Sequence, residues 1–153
     1  MTTAAKLRIS IVTPSFNMAA YLGETISSVQ SNLASGDEYI IIDGGSTDGS
    51  VDVIRQHESA TTHWISEPDE GYADALAKGF ARASGDVLCW INAGDLLLDG
   101  TFAKVRELFA AGDVDMIFGD DFYIDERNHV IRYSRGDVDN LAAAMLYGGW
   151  TPL

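Results

Sequence analysis

Cysteine is almost absent from this chain. Cys89 stands alone among 153 residues, so no intramolecular disulfide can form, and its place in an apolar run marks a buried, inert thiol. Basic residues are also scarce: 10 Lys and Arg face 23 Asp and Glu, a net charge of −13. That balance excludes a nucleic-acid backbone or an anionic membrane as the main partner. It also opposes any phosphate-bearing ligand unless a divalent cation offsets the field locally. No segment approaches the roughly 20 apolar residues of a membrane span. The first residues lack the apolar core of a secretory leader, so a cytoplasmic location is expected. Internal repeats and low-complexity tracts are missing too. So is a Gly-x-Gly-x-x-Gly turn after the first apolar run, which argues against the rival reading of a dinucleotide-dependent oxidoreductase.

What remains is enough for a real core. The hydrophobic fraction is 46%, and the length suits one domain. Val87 to Ile91 is a short, wholly apolar run of the kind buried on both faces of a sheet. It stops at Asn92-Ala-Gly-Asp95, delivering an amide and a carboxylate to a strand end. A turn that caps the next helix would also account for Gly94-Asp95.

Other segments repeat the pattern. Leu7 to Val12 predicts a strand that stops at Pro14, which has no N–H for a ladder. Leu22, Ile26, Val29 and Leu33 then recur at helical spacing. Tyr39 to Ile42 predicts a second strand, running into Asp43-Gly-Gly-Ser-Thr-Asp-Gly-Ser50. A Ser or Thr cap for the next helix explains Ser46 to Ser50. It does not explain Asp43, a carboxylate at the end of an apolar strand with no evident cap to make. In the next helix, Val51, Ile54 and the stem of Arg55 are expected on the inner side.

His63 to Ser66 predicts a third strand, and Tyr72 to Ala83 a helix packed through Ala73, Leu76, Ala77 and Phe80. Asp74, Lys78 and Arg82 share its other face, where a solvated ladder of ion pairs is the simplest account. Gly79 inside the helix points to close approach of another backbone. Phe102, Val105, Leu108 and Phe109 are expected inward on a helix from about Thr101. Met116 to Phe118 predicts a further buried strand ending in Gly-Asp120-Asp121. Phe122 to Ile124 and Val130 to Tyr133 predict a hairpin, and Asp137 to Tyr147 a helix.

Strands alternating with helices predict a mostly parallel sheet with helices on both faces. Right-handed crossovers then gather Ser15 and Asn17, Asp43, Asn92 and Asp95, and Asp120 on one edge of it. Ligands of open α/β sheets bind at that edge.

Four motifs resemble one family in order and spacing. Thr13-Pro-Ser-Phe-Asn17, followed by Tyr21-Leu22, Glu24-Thr25 and Ser28, is similar to the opening of the inverting family 2 glycosyltransferases. Asp43 to Gly49 resembles their second-strand loop. Glu67-Pro-Asp-x-Gly-x-x-Asp-Ala-x-x-Lys-Gly79 and Ser84-Gly-Asp86 resemble their third block. Trp90 to Asp95 stands where they place a metal-binding acidic motif. The resemblance covers about Lys6 to Asp121 and implies a three-layer α/β/α sandwich. This is the Rossmann-like GT-A nucleotide-diphospho-sugar transferase fold, with a mostly parallel mixed sheet, cut short at its C-terminus.

The resemblance implies a single domain over residues 1–153 that binds a nucleotide-sugar, UDP-linked first. The sugar would pass with inversion to an acceptor hydroxyl, whether saccharide, lipid-linked or protein. Thr13, Pro14, Ser15, Asn17, Asp43, Ser46, Asp74, Lys78 and Asn92 would line the nucleotide site, and Asp95 would hold Mg²⁺ or Mn²⁺. The family usually has two adjacent acids where this chain has Gly94-Asp95. Its general base lies in an acceptor-binding region expected beyond residue 153. A non-catalytic nucleotide-sugar-binding module, or an inactive fragment, is therefore the alternative. Leu146, Tyr147 and Trp150 would be left uncovered at the end of such a fragment, which suggests a homo-oligomer.

Overall fold

The computed structural model describes residues 7–112 and 114–136. The expected helix over 137–147 and the apolar residues invoked for a homo-oligomer lie outside them. The chain divides into two compact units, residues 1–111 and 112–153.

In the first unit, strands β1 (Ile9–Ser15), β2 (Glu38–Asp43), β3 (Thr62–Ser66) and β4 (Val87–Trp90) form one parallel sheet in the order β3-β2-β1-β4. Helices α1 (Ala19–Asn32), α2 (Ser50–Gln56), α3 (Tyr72–Phe80) and α4 (Thr101–Ala110) connect and follow the strands. Alternate side chains of a strand point to opposite faces. Ile9, Ile11, Tyr39 and Ile41 pack with Leu22, Ile26 and Val29 of α1, Ile54 of α2 and Phe102 of α4. On the other face, Val12, Ile40 and Ile42 pack with Ala75, Leu76 and Phe80 of α3. The result is the expected three-layer α/β/α sandwich.

Several expectations change in detail. The strands buried on both faces are β1, all seven residues of which are buried, and β2 from Tyr39 onward. By contrast β4 is an edge strand, with Leu88 and Trp90 each about half exposed. A short apolar run has the same composition at the edge of a sheet as at its centre. Nor does Pro14 end β1; it pairs in register with Ile42. The Val12 carbonyl takes the Ile91 amide, so Val12 and Pro14 turn their backbone groups toward β4. That strand ends at Trp90, paired with Val12, so Pro14 lacks an N–H where no ladder partner stands.

On α3 the inward residues are Ala75 and Gly79, with Leu76 and Phe80 partly buried, while Ala73 and Ala77 are exposed. The close approach predicted at Gly79 is to a side chain: a Cβ there would lie 2.3 Å from Val12 Cγ1. Helix α2 turns Ser50, Ile54 and Val53 inward and leaves Arg55 exposed. Leu108 of α4 is exposed as well.

The amino ends of the strands are pinned by charge. Asp37 accepts the amides of Ile9 (2.9 Å) and Ala34 (2.7 Å) and pairs with Arg106 of α4. Glu38 accepts the Ser10 hydroxyl and the amides of Ser84 and Gly85.

In the second unit, β5 (Asp121–Ile124) and β6 (Val130–Ser134) form an antiparallel hairpin, as expected. Its turn is closed by Asp125, which accepts the amides of Arg127 and His129. Residues 114–120 are not a strand, and Met116 and Phe118 are exposed. Three apolar residues do not make a strand without a ladder partner. Asp120 therefore ends no strand; it accepts the Tyr133 hydroxyl and the Gly136 amide within its own unit.

Candidate active site at the strand ends

The loops after β1 and β2 are laced together. Asn17, with a left-handed φ of 53°, donates its amide to Ser46 Oγ (2.8 Å) and accepts the Thr47 amide on Oδ1 (3.0 Å). Helix α1 has no cap of its own. Instead the Met18 amide donates to Ser50 Oγ and the Ala19 amide to Asp48 Oδ2, both at 2.9 Å. The run Ser46 to Ser50 thus caps α1, whereas α2 begins at Ser50 behind Gly49, its first amide accepted by Asp48 Oδ1 (3.0 Å). Hydrogen bonds from the Ser50 hydroxyl and the Ala19 amide hold the Asp48 carboxyl below its ordinary pKa.

Asp43 does have a cap to make. It is fully buried and accepts the Ser46 amide, the Ser46 hydroxyl and the Ser66 hydroxyl, the last at 2.6 Å. The carboxylate thereby shapes the loop in which Ser46 meets Asn17. Thr13 is buried and accepts the Tyr39 hydroxyl (2.9 Å). Pro14 is buried too, so both form the floor of the strand end. The Ser15 hydroxyl is buried without a hydrogen-bond partner, in register with Asp43.

The loop after β3 closes against the loop after β2. A Cβ on Gly44 would sit 2.8 Å from Asp69 Oδ2, and one on Gly45, where φ is 81°, 3.3 Å from the Pro68 nitrogen. At Gly45 the left-handed backbone and the Pro68 main chain favour glycine, whereas at Gly44 the neighbour is the tip of the Asp69 side chain. Lys78 bridges the same loop to α3, with Asp74 at 3.0 Å and Glu67 at 3.3 Å. Its ammonium pKa is raised, first by Asp74 and also by Glu67. Asp74 accepts the Glu70 amide, which with Lys78 lowers its pKa. So Asp74 and Lys78 do share a face, and the charge of Lys78 is divided between two carboxylates. Arg82 departs from the ladder and donates to the Lys78 carbonyl.

At the end of β4, Tyr72 donates its hydroxyl to Asn92 Oδ1 (2.9 Å), and Asn92 Nδ2 donates to Asp95 Oδ2 (2.9 Å). The turn is fastened to α1: the Gly94 amide donates to Thr25 Oγ1 (2.9 Å) and the Leu97 amide to Ser28 Oγ (3.1 Å). Gly94 has φ 103°, and a Cβ there would lie 3.1 Å from Met18 Cε. Gly94-Asp95 caps no helix, since α4 begins six residues after Asp95 behind Gly100. Among the described residues no cluster of three His, Cys, Asp or Glu side chains is arranged to hold a metal.

The sheet therefore brings two groups together: Asn17, Asp43 and Ser46 around β1 and β2, and Asn92 with Asp95 at β4. Asp74 and Lys78 are joined to the β2 side through the loop of residues 67–71. Tyr72, Ser66 and Asp69 were missed as site residues by the sequence reading. Tyr72 reads there only as the start of a helix, and nothing in its spacing signals the bond to Asn92. A separate groove of about 630 Å³ runs along the outer side of α1, between Gly23, His57 and Leu96 to Leu98.

The fold is that of the GT-A glycosyltransferases, which are the solved structures it resembles. The chain belongs to glycosyltransferase family 2, whose model matches residues 10–140. A curated relative, an uncharacterized glycosyltransferase of Nostoc sp., is 33% identical over 78% of this chain and 40% of its own length. A mannosyltransferase from Pyrobaculum calidifontis, solved with GDP-Man and Mn²⁺, superposes with a TM-score of 0.64. It is 19% identical over 82% of this chain and 38% of its own. The glucosyl-3-phosphoglycerate synthase of Mycobacterium tuberculosis was solved with Mn²⁺, UDP and glucosyl-3-phosphoglycerate. It gives a TM-score of 0.50 at 29% identity, over 58% of this chain and 34% of its own. The chain spans less than half the length of the curated relatives it matches. No helix among the described residues is long and apolar enough to cross a membrane.

Proposed function

We propose that this chain binds a nucleoside-diphosphate sugar together with a divalent cation and presents the sugar for inverting transfer to an acceptor hydroxyl. The observation that carries the reading is the meeting of the loops after β1, β2 and β3 around Asp43, beside the Asn92–Asp95 turn of β4. Backbone amides, hydroxyls and close-approach glycines on one side suit a nucleoside. The carboxylate and amide oxygens on the other are the hard donors that Mg²⁺ and Mn²⁺ take. UDP is the first candidate, since a 29% identical neighbour was solved with it. GDP is the second.

The donor set fits an ion shared with the ligand. Asp95 would hold such an ion through its one carboxylate, with Asn92 beside it. When bound, such an ion neutralises the charge that develops on the leaving diphosphate. The protein's own part is to hold the nucleoside between the Asn17–Ser46 contact and Asp74, and to aim the Asp95 carboxylate. Lys78 adds little net charge there, because Asp74 and Glu67 already engage it. The general base is unassigned in this reading.

Gly94 supports a second reading, a nucleotide-sugar-binding module without turnover, since a glycine there leaves Asp95 as the only acid of its pair. Asp95→Asn tests the ion's role in the first. Diphosphate affinity of the unmodified chain should rise strongly with Mn²⁺, and the variant should lose most of that rise while binding the uncharged nucleoside as before. A variant that keeps the full Mn²⁺ effect removes Asp95 from the site.

A further inference from the structure

We infer that Tyr72 is a positioning residue for the ion-binding carboxylate, acting through Asn92. This rests on the reading of Asp95 given above. The argument is one of donors and acceptors. An amide side chain has an oxygen that only accepts and a nitrogen that only donates. Asp95 needs the donor, because an ionised carboxylate only accepts. Asn92 must therefore turn Nδ2 toward Asp95 and Oδ1 away from it. Tyr72 stands on the far side and donates its hydroxyl to that Oδ1 at 2.9 Å. The carboxylate, which only accepts, sets the orientation of the amide, and the phenol, which can donate or accept, takes the donor role and anchors the amide there. In that orientation Nδ2 meets Asp95 Oδ2, also at 2.9 Å. With Oδ2 held, the carboxylate plane is set by a partner other than the ion.

The backbone supports the arrangement. The Asp95 amide donates to the Asn92 carbonyl (3.0 Å), and the Gly94 amide donates to Thr25 of α1. These bonds fasten the turn to itself and to α1, and the Asn92 amide then orients the Asp95 side chain on it. Tyr72 comes from a different segment, the first residue of α3, just after the loop that meets Gly44 and Gly45. Its ring is about half exposed, so the hydroxyl is not needed for the core. Partners of this kind are worth about 10–100-fold in metal affinity.

The test uses the whole chain and Mn²⁺ as the probe, with free Mn²⁺ read by electron paramagnetic resonance at saturating UDP. Tyr72→Phe removes only the hydroxyl. It should weaken Mn²⁺ binding about tenfold, with the melting temperature and the UDP affinity in EDTA unchanged. Asn92→Ala should weaken Mn²⁺ binding at least as much, and adding Tyr72→Phe to it should change nothing more. Unchanged Mn²⁺ affinity in Tyr72→Phe overturns the inference. So does a Tyr72→Phe effect that persists in the Asn92→Ala background, since Tyr72 would then act directly. A loss that tracks a fall in melting temperature also overturns it. If the unmodified chain binds UDP but no Mn²⁺, the ion reading fails and this inference with it. If it binds no UDP, the nucleotide reading is what has failed, and the relay falls for want of a site.

Discussion

Replacing Asp37 should come close to unfolding the protein. Its side chain is about 1% exposed, and its partner Arg106 about 12%. Three donors converge on it: the Ile9 amide, the Ala34 amide and the Arg106 guanidinium. They join the start of β1, the turn before β2 and helix α4, three segments far apart in sequence. Asp37→Ala leaves a guanidinium in the interior without its counter-charge, a change worth roughly 3–5 kcal/mol. Two amides lose their acceptor as well, though water entering the cavity recovers part of that. A loss of about 4 kcal/mol is a large share of the 5–15 kcal/mol typical of a domain. Urea denaturation followed by far-UV circular dichroism reads it directly. The sign with pH follows from the carboxyl. Burial pushes its pKa up, but Arg106 and the two amides outweigh burial and hold it below the ordinary value of 3.8. A group depressed in the folded state stabilises above its unfolded pKa and loses that effect as pH falls through the folded one. The Asp37 contribution should therefore be intact at pH 5 and fade below about pH 4. A loss under about 1 kcal/mol in Asp37→Ala, or no acid sensitivity beyond that variant's own, refutes the pin.

Cys89 should resist thiol reagents. The residue is partly buried against the core rather than sealed in it, and that burial pushes its thiol up to about 12, so native protein at pH 8 should label far more slowly than protein in urea; equal rates would place the thiol in solvent. Restoring the second acid with Gly94→Asp should lower stability and fail to tighten Mn²⁺ binding, because φ is 103° and Met18 crowds the Cβ. Tighter Mn²⁺ binding in a stable Gly94→Asp variant would contradict that geometry.

Much of this fold is legible in the sequence because its elements alternate in period. Leu22, Ile26 and Val29 repeat at helical spacing and are buried. The runs at Tyr39–Ile42 and Val87–Trp90 end in polar residues, and both are strands. What the pattern lacks is rank within the sheet. It marked β4 as buried on both faces, although β1 and β2 are the inner strands, because an apolar run does not record how many strands flank it. Proline misled for a related reason: Pro14 is harmless where the neighbouring strand has already stopped. At the site, residue types at strand ends flagged Asp43 and Asp95, but not how they are used. Asp43 is consumed by Ser46 and Ser66, and Ser66 lies 23 residues away in sequence. Tyr72 and Asn92 are 20 apart and meet only in the folded chain, at the start of α3 and the turn after β4. Such contacts have no local signature.

The central claim is that these strand ends form a diphosphate site completed by a divalent ion. Its most direct test is a calorimetric titration of the chain with UDP, in Mn²⁺ and in EDTA, with GDP and dTDP run alongside. The account predicts that one nucleotide binds best and that Mn²⁺ tightens its binding at least about tenfold, roughly 1.4 kcal/mol. Equal affinity in Mn²⁺ and EDTA, or no binding of any of the three nucleotides, would contradict it.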